Sequence, residues 1–423
     1  MNTQEFMTKL ENHQLDDILN DLYEDESLLE YQYNRYKKAI ETFNKLYGEG
    51  DFEIYTAAGR SEVGGNHTDH QHGRVLAASI NLDAIGIVRK RENIIKVVSD
   101  DYDIPEIDIR DLSFVEEEKG TSIALIKGVI AKLKQLGYAI GGFDAYITSD
   151  VLIGAGLSSS AAFEDIIGTI IDGLYNDMKI DMVTIAKVGQ YAENVYFGKP
   201  CGLMDQCACA VGGLITIDFK DKDKPDVRHI DVDFSSFDYS LCIVDAKGSH
   251  ANLTDEYAAV PREMKDVAKF FNKEVLREVD EEEFLDHINE IREKLGDRAV
   301  LRAYHFFKEN KRVLDEVEAL ENDFPAFLKL VKASGDSSYK VLQNVYASSD
   351  PEHQSVALAL TLSEDLLQDN GVCRVHGGGF AGTIQAFVKN DFVKEYKKGI
   401  EKYFGEGSCH ILKIRKYGGK KIL

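Results

Sequence analysis

A run rich in glycine, serine and alanine occupies residues 154–162, where it joins a strand predicted at 144–148 to a predicted helix. Gly154 and Gly156 let the backbone turn tightly and approach a ligand, and the amides at the start of a helix favour an anion. The residues after Ser160 carry apolar side chains at helical spacing, which predicts that the serines lie at the helix N-terminus. The run therefore predicts a phosphate-binding turn. Its other interpretation is an ordinary loop in which a serine caps the helix.

Two common nucleotide-binding motifs do not fit this run. Ser159 stands where the dinucleotide pattern G-x-G-x-x-G requires its third glycine. The lysine-bearing phosphate loop requires G-K-[S/T], which the run does not contain. We therefore expect a turn whose hydroxyls and amides hold phosphate and Mg²⁺ without a lysine of its own.

The loop at residues 59–73 has more hydrogen-bonding side chains than a plain connector requires: Arg60, Glu62, His67, Asp69, His70 and His72. Three histidines could indicate a metal site, but H-x-x-H on a loop does not fix its side chains on one face as a helix does. Carboxylates and imidazoles can also bridge the hydroxyls of a sugar. The loop thus favours a polyol substrate over a metal.

Asp205 lies in an apolar stretch, between Leu203-Met204 and residues 207–211. A carboxylate in such a sequence is either a helix cap or a functional group. If it is functional, a nearby arginine would keep it ionised at neutral pH and direct it towards a hydroxyl.

The length and charge of the chain restrict its class. Its 423 residues exceed what one hydrophobic core usually serves, which predicts two domains, at 1–219 with a helical cap over the first 48 residues and at 220–423. The polar stretch 220–226 is the predicted boundary. The net charge of −23 argues against nucleic acid or an anionic membrane as a partner.

Neither a leader nor a metal-binding cysteine motif is evident in the sequence. No apolar run approaches the roughly 18 residues of a membrane span, and residues 1–20 contain no apolar segment typical of a signal peptide, so we expect a cytoplasmic protein. The six cysteines form no paired C-x-x-C and are expected to be reduced and buried.

Three separated segments resemble, in order, the motifs of the GHMP small-molecule kinases. They are the loop at 59–69, the run Gly154-Ala155-Gly156-Leu157-Ser158-Ser159-Ser160-Ala161-Ala162, and the late run Gly377-Gly378-Gly379-Phe380-Ala381-Gly382. Within that superfamily the galactokinase family is the most similar, through Gly59-Arg60, His67-Thr68-Asp69, Cys201-Gly202-Leu203-Met204-Asp205-Gln206 and Asp255-Glu256-Tyr257. The resemblance covers most of the chain from about residue 50. It implies a two-lobed α/β (α+β) fold with the active site in the cleft between the lobes.

The resemblance also implies a reaction, the phosphorylation of the anomeric hydroxyl of galactose by ATP with Mg²⁺, and a role for each matched residue. Asp205 matches the catalytic aspartate and Arg60 the arginine that neutralises charge beside it, while Ser160 and Glu193 match the Mg²⁺-associated pair. The matched ATP-binding residues are Gly154, Gly156, Leu157, Ser158, Ser159 and Ser160. The matched sugar-binding positions are Asn66, His67, Asp69, Gly202 and Tyr257, with Gly378 and Gly379 in a turn beneath them. We expect a monomer or a weak homo-oligomer.

The chain departs from the family pattern mainly in the sugar loop. Asn66 replaces a glutamate before His-Thr-Asp, His70 replaces a tyrosine, and Ser61-Glu62-Val63-Gly64 replaces Val-Asn-Leu-Ile. An amide can donate as well as accept hydrogen bonds, so a different hydroxyl pattern could be selected. The tryptophan common near the adenine is absent too, with Ser122 near its position. Two alternatives therefore stay open: a kinase for another aldose, a uronic acid or an amino sugar, and a non-catalytic sensor of sugar and ATP.

Overall fold

The computed structural model describes residues 2–100, 102–152, 156–199, 201–221, 223–249 and 253–423. Its strands, β1 to β13, are Glu53–Gly64, Arg74–Arg91, Ile94–Ser99, Tyr102–Asp103, Ile107–Asp108, Gly142–Ser149, Leu214–Asp218, Asp226–Ile230, Tyr239–Asp245, Gly371–Val375, Thr383–Lys389, Cys409–Leu412 and Lys420–Lys421. Its α-helices, α1 to α14, are Thr3–Glu11, Asp16–Tyr23, Leu29–Tyr47, Ser122–Gln135, Ser159–Tyr175, Met182–Tyr191, Met204–Val211, Thr254–Phe270, Glu281–Asp286, Ile288–Leu295, Asp297–Asn322, Phe324–Ser337, Ser355–Leu367 and Val393–Phe404.

The larger of two sheets is organised around the long strand β2. Along one side β2 pairs with β1, and along the other its first part pairs with β7 and its last part with β6. The strand order is β13-β1-β2-β6-β3-β4, with β5 on β3 and β8 on β7. The strand predicted at 144–148 is confirmed as β6, within one or two residues at each end. The α/β class is likewise confirmed.

The smaller sheet is antiparallel, with strand order β10-β11-β9-β12. The main core lies between the larger sheet and helices α4 to α7, and includes Ile147 from the sheet and Ile126, Ile166 and Ile185 from the helices. A second core joins the two sheets through residues such as Ile80, Ile243, Phe327 and Phe387. Burial of these side chains fixes the sheets relative to each other and so positions the segments between them.

Two later strands, β8 and β13, also belong to the larger sheet. The last strand, β13, pairs with β1. Strand β8 pairs antiparallel with β7 within that sheet. The division of the chain at residue 220 stays a prediction, and these pairings put β8 and β13 in the sheet formed by the earlier strands.

The N-terminal helices pack on the larger sheet. Phe6, Leu19, Tyr36 and Phe43 bury their side chains against sheet residues such as Ile85. In the part of the chain that the structure describes, each helix is too short or too polar to cross a bilayer.

A buried ion-pair network anchors α3 and the C-terminal segment to the sheet. The carboxylate of Asp83 receives Nη1 of Arg35 at 2.6 Å and Nη1 of Arg415 at 2.7 Å, and the hydroxyl of Tyr23 donates to it at 3.1 Å. Burial would raise the pKa of Asp83, but the two arginine charges outweigh it and lower the pKa. The network therefore holds an ionised carboxylate inside the protein.

Candidate active site

Arg60 and Asp205 form the centre of the candidate site. Arg60 lies on β1, and Asp205 lies in the first turn of α7, where the helix dipole favours a negative charge. Nε and Nη2 of Arg60 each lie 2.9 Å from Oδ1 of Asp205. The hydroxyl of Ser158 donates to Oδ2 of Asp205 at 2.6 Å, and Nη1 of Arg60 donates to the carbonyl of Gly156. The structure thus brings the predicted catalytic pair into contact with the predicted phosphate-binding turn.

Arg60 is shielded from solvent, whereas Asp205 is partly exposed. The side chain of Arg60 is 8% exposed and that of Asp205 is 37% exposed. Burial acts to raise the pKa of Asp205, but the charge of Arg60 and the hydrogen bonds from Arg60 and Ser158 outweigh it, so the pKa is lowered. Asp205 is therefore ionised at neutral pH.

The turn before α5 has the backbone of a helix-terminal binding site. Gly156 and Ser158 both have positive φ, at 68° and 59°, and Ser158 is the N-cap residue of α5. Leu157 is buried and its carbonyl accepts the amide of Arg60 at 3.2 Å. Ser159 and Ser160 open the helix, so their amides lie at its positive end. Gly154 lies outside the described residues.

Ser160 and Glu193 meet on the other side of the turn. The hydroxyl of Ser160 lies 3.5 Å from Oε1 of Glu193, whose side chain is 4% exposed. Glu193 lies in a π-helical segment, Ala192–Phe197, a distortion found often at functional sites. Nζ of Lys199 lies 2.9 Å from the same carboxylate oxygen, so a cation already neutralises Glu193.

This pair of oxygens fits Mg²⁺. The ion prefers hard oxygen ligands and usually completes its shell with phosphate oxygens and water, so one carboxylate and one hydroxyl suffice. Gln206 donates to Oε2 of Glu193 at 2.9 Å and to Oε2 of Glu164 at 3.0 Å. Burial, with the charge of Glu193, raises the pKa of Glu164 to about 9. Glu164 is therefore neutral at pH 7.

Two of the predicted sugar-binding positions contact the glycine turn at 377–379, and two others lie against each other. Nε2 of His67 lies 3.0 Å from the carbonyl of Gly378, and the hydroxyl of Tyr257 donates to the carbonyl of Gly379 at 2.8 Å. A Cβ on Gly202 would lie 2.7 Å from Oδ2 of Asp69, so the glycine leaves room for that carboxylate where it now lies. Burial, aided by the charges of Glu62 and Asp205, raises the pKa of Asp69.

Asn66 lies behind these residues instead of among them. Its side chain is fully buried, at 0% exposure. The amide nitrogen donates to Oε1 of Glu62 at 3.0 Å and to the carbonyl of Gly377 at 2.7 Å, and the amide oxygen accepts from Asn344 at 2.9 Å and Ser338 at 3.2 Å. The protein itself uses each of these hydrogen-bonding positions, which favours a supporting role, and the sugar contact of Asn66 stays a prediction.

A cleft of about 770 Å³ opens beside the phosphate-binding turn. Ser159 and Ser160 line it together with an apolar group that includes Leu82, Leu125, Ile147 and Phe163. Ser122, the residue predicted near the adenine, lines it as well. A cavity that combines helix-terminal serines with apolar walls suits a ligand with a phosphate end and a planar apolar end.

Sequence reasoning did not identify Gln206 or Asn344 as parts of the site. The sequence could have identified Gln206, because this residue directly follows Asp205 in the motif Cys-Gly-Leu-Met-Asp-Gln. No sequence feature points to Asn344, because its links to the site are contacts with distant residues, Asn66 at 278 positions earlier and the carbonyl of Gly378 at 34 positions later.

Two family models match the chain. The galactokinase galactose-binding signature matches residues 41–90, and the N-terminal domain of GHMP kinases matches residues 124–213. The first contains Arg60 and the sugar loop. The second contains the phosphate-binding turn, Glu193 and Asp205.

Relatives of known activity align with most of the chain. Galactokinase from Actinobacillus pleuropneumoniae serotype 5b is 31% identical over 366 residues, which cover 86% of this chain and 92% of the relative. Galactokinase from Clostridium tetani is 30% identical over 369 residues, covering 86% and 91%.

Solved structures agree with the fold. Lactococcus lactis galactokinase in complex with galactose matches with a TM-score of 0.74 at 26% identity, over 90% of this chain and 98% of that one. Methanococcus jannaschii mevalonate kinase matches with a TM-score of 0.61 at 18% identity, over 86% and 99%, and this likeness concerns the fold alone.

Proposed function

The chain belongs to the galactokinase family of the GHMP kinases, and from this premise we propose that it transfers the γ-phosphoryl group of ATP to the anomeric hydroxyl of galactose. The observation that carries the proposal is the contact of Arg60 with both Asp205 and the turn at Gly156. A carboxylate suited to a sugar hydroxyl is thereby joined to a turn suited to phosphate. This is the arrangement that in-line phosphoryl transfer between two bound substrates requires.

The proposed sugar site consists of His67, Asp69, Gly202 and Tyr257, with the turn at Gly378 and Gly379 beneath it. His67 and Tyr257 are fixed by their contacts with the carbonyls of that turn. Asp69 stands against Gly202 and is available to accept a hydrogen bond from a sugar hydroxyl. Together these groups would present the anomeric hydroxyl to Asp205.

In the proposed reaction, Asp205 orients the anomeric hydroxyl towards the γ-phosphorus. The sugar oxygen forms a bond to phosphorus while the bond from phosphorus to the bridging oxygen of ADP breaks. The hydroxyl proton passes to the carboxylate of Asp205, and ADP leaves with the electron pair of the broken bond. Arg60 and the amides at the start of α5 stabilise the charge on the transferring group.

Ser160 and Glu193 are the residues that would hold Mg²⁺. When bound with ATP, the ion would neutralise charge on the phosphate oxygens. Gln206 and neutral Glu164 hold the Glu193 carboxylate in place from behind. Lys199 already pairs with Glu193 and would have to yield part of that contact to the ion.

A kinase for a related sugar is the second candidate. The observation that favours it is the altered sugar loop, in which Asn66 and His70 replace the glutamate and tyrosine of the family pattern. We also propose a cytoplasmic protein, monomeric or weakly homo-oligomeric. Its six unpaired cysteines suit a reducing compartment.

The experiment that tests the proposal is a steady-state ADP-release assay with ATP and Mg²⁺ over a panel of sugars: galactose, a second aldose, a uronic acid and an amino sugar. Turnover on galactose above the other sugars supports the proposal, and preferred turnover on another sugar supports the second candidate. Lack of turnover on every sugar, with ATP and sugar still bound, would indicate a sensor. The variant Asp205→Ala serves as the control for contaminating kinase activity.

A further inference from the structure

The N-terminal helix α3 and the turn before it border the same cleft as the phosphate-binding turn. Leu28, Tyr31 and Gln32 line this cavity together with Ser159 and Ser160. The two matched family models begin at residues 41 and 124, so these three side chains lie upstream of both. The cleft is therefore walled in part by a segment that precedes the matched family signatures.

This segment is fixed to the strand end that leads into the phosphate-binding turn. The hydroxyl of Tyr31 donates to Oδ1 of Asp150 at 2.9 Å, just after the end of β6. Arg35, one helical turn further on, places Nη1 3.1 Å from Oδ2 of Asp150 and donates from Nη2 to the carbonyl of Thr148 at 3.3 Å. Its pairing with Asp83 at 2.6 Å anchors the arginine in turn. The ring of Tyr31 is thus held in position before any ligand binds.

The cleft lacks the tryptophan common at this site but offers other aromatic rings. Tyr31 is 52% exposed, Tyr102 is 74% exposed, and Phe163 lines the same cavity. Of the two tyrosines, Tyr31 has its ring fixed by a hydrogen bond to a residue that is itself anchored. A planar base binds most tightly to a ring that is already fixed, because the ring then loses no further conformational entropy on binding.

We propose that Tyr31 contacts the nucleotide base and forms one wall of its binding site, so that the N-terminal helical segment contributes to ATP affinity. The inference rests on the proposed function, because it assumes that the cleft takes ATP. It adds a base-contacting residue that neither matched family signature contains. The phosphates lie at the start of α5 in this arrangement, and the base lies in the apolar part of the cleft.

Calorimetric titrations of the full chain test the proposal, with Tyr31→Ala, Tyr31→Phe and the control Tyr403→Ala. Tyr403 is also 52% exposed but lies on α14 and does not line the cleft. The ligands are a non-hydrolysable ATP analogue with Mg²⁺, inorganic tripolyphosphate with Mg²⁺, and galactose. The tripolyphosphate has no base, so it separates a base contact from a disturbance of the phosphate-binding turn.

We expect Tyr31→Ala to weaken binding of the ATP analogue by about fivefold or more, the effect of losing an aromatic contact to a base. Tyr31→Phe should stay within about twofold of the wild type, because it keeps the ring and loses only the hydrogen bond to Asp150. Binding of tripolyphosphate and galactose should be unchanged in both variants, and Tyr403→Ala should match the wild type.

Unchanged affinity of Tyr31→Ala for the ATP analogue would overturn the inference. So would an equal loss with Tyr31→Phe, which would assign the effect to the hydrogen bond with Asp150, or an equal loss for tripolyphosphate, which would assign it to the phosphate-binding turn. If the proposed function is wrong, the wild-type protein itself would not bind the ATP analogue, which distinguishes that outcome from a failure of this inference alone. Melting temperatures of the variants show whether each is folded.

Discussion

The substitution Asn66→Asp tests whether Asn66 supports the sugar site from behind. It preserves size and keeps the two hydrogen bonds that the side-chain oxygen accepts, from Asn344 and Ser338. It removes the two that the nitrogen donates, to Glu62 at 3.0 Å and to the carbonyl of Gly377 at 2.7 Å. An oxygen would then face two acceptors in a site with no solvent exposure.

The expected loss of stability follows from those contacts. The hydrogen bond lost to the charged group of Glu62 costs about 1.5–3 kcal/mol, and the donor lost at the carbonyl of Gly377 costs about 1–3 kcal/mol, so the two give roughly 2.5–6 kcal/mol. Repulsion between the new carboxyl group and Glu62 adds to this when both are ionised. Arg374 still contacts the same oxygen of Glu62, so that oxygen keeps one donor. We therefore expect the free energy of unfolding to fall by about 3–5 kcal/mol at neutral pH.

The pH dependence has a definite sign. Burial beside Glu62 raises the folded-state pKa of the new carboxyl group above its unfolded value of about 4. A group of this kind favours the folded state most below its unfolded pKa and loses that contribution as the pH rises towards its folded pKa. The deficit of Asn66→Asp relative to the wild type should therefore be smallest near pH 4 and should grow towards neutrality.

Urea unfolding followed by circular dichroism at several pH values measures the effect. Asn322→Asp is the matched control, because Asn322 is exposed at the end of α11 and donates only to the carbonyl of Glu318. Asn66→Asp should also lower turnover, while the ranking of sugars stays as in the wild type. A loss within about 0.5 kcal/mol, typical of a surface substitution, or a changed sugar ranking with full stability, would refute the supporting role.

Four further predictions follow from the site and its scaffold. Asp205→Ala should lower turnover by at least about a hundredfold with ATP affinity retained, as ADP release and calorimetry would show; full activity would refute the assignment. Arg60→Met removes the charge that lowers the pKa of Asp205, so the acidic limb of the kcat profile should move to higher pH, and an unmoved limb would count against it. Glu193→Gln should raise the Mg²⁺ concentration needed for half-maximal rate, and an unchanged Mg²⁺ titration would remove Glu193 from the metal site. Asp83→Asn leaves two buried arginines without their carboxylate and should cost about 3–5 kcal/mol of unfolding free energy, measured by urea denaturation; a loss below about 1 kcal/mol would mean that the arginines find other partners.

The parts of the site that sequence reasoning predicted are those built from neighbours in the chain. The phosphate-binding turn could be read because its glycines, serines and following helix are contiguous, and local backbone preferences determine their shape. Asp205 could be singled out for a similar reason, since a carboxylate in an apolar stretch is a local anomaly. The motif resemblance then supplied Arg60 as its partner, 145 positions earlier.

The parts that could not be predicted depend on contacts between distant segments. The sequence gives the identity of Asn66 but not its neighbours, which lie 272 to 311 positions further along at Ser338, Asn344 and Gly377. When these neighbours are unknown, the side-chain amide of Asn66 in a polar loop suggests a contact with the ligand. Tyr31 is similar, because its partner Asp150 lies 119 positions away.

The electrostatics of Asp205 indicate how the proposed reaction would be accelerated. A carboxylate with a lowered pKa is a weak base and is poorly suited to remove a proton from a sugar hydroxyl before any bond has formed. In phosphoryl transfer through a loose transition state, the hydroxyl becomes acidic only as its oxygen bonds to phosphorus. An ionised and fixed carboxylate can then orient the hydroxyl first and accept its proton late. Because the guanidinium that fixes Asp205 also holds the carbonyl of Gly156, the spacing between acceptor and donor is set by a buried strand, β1, and catalysis by positioning follows from the fold.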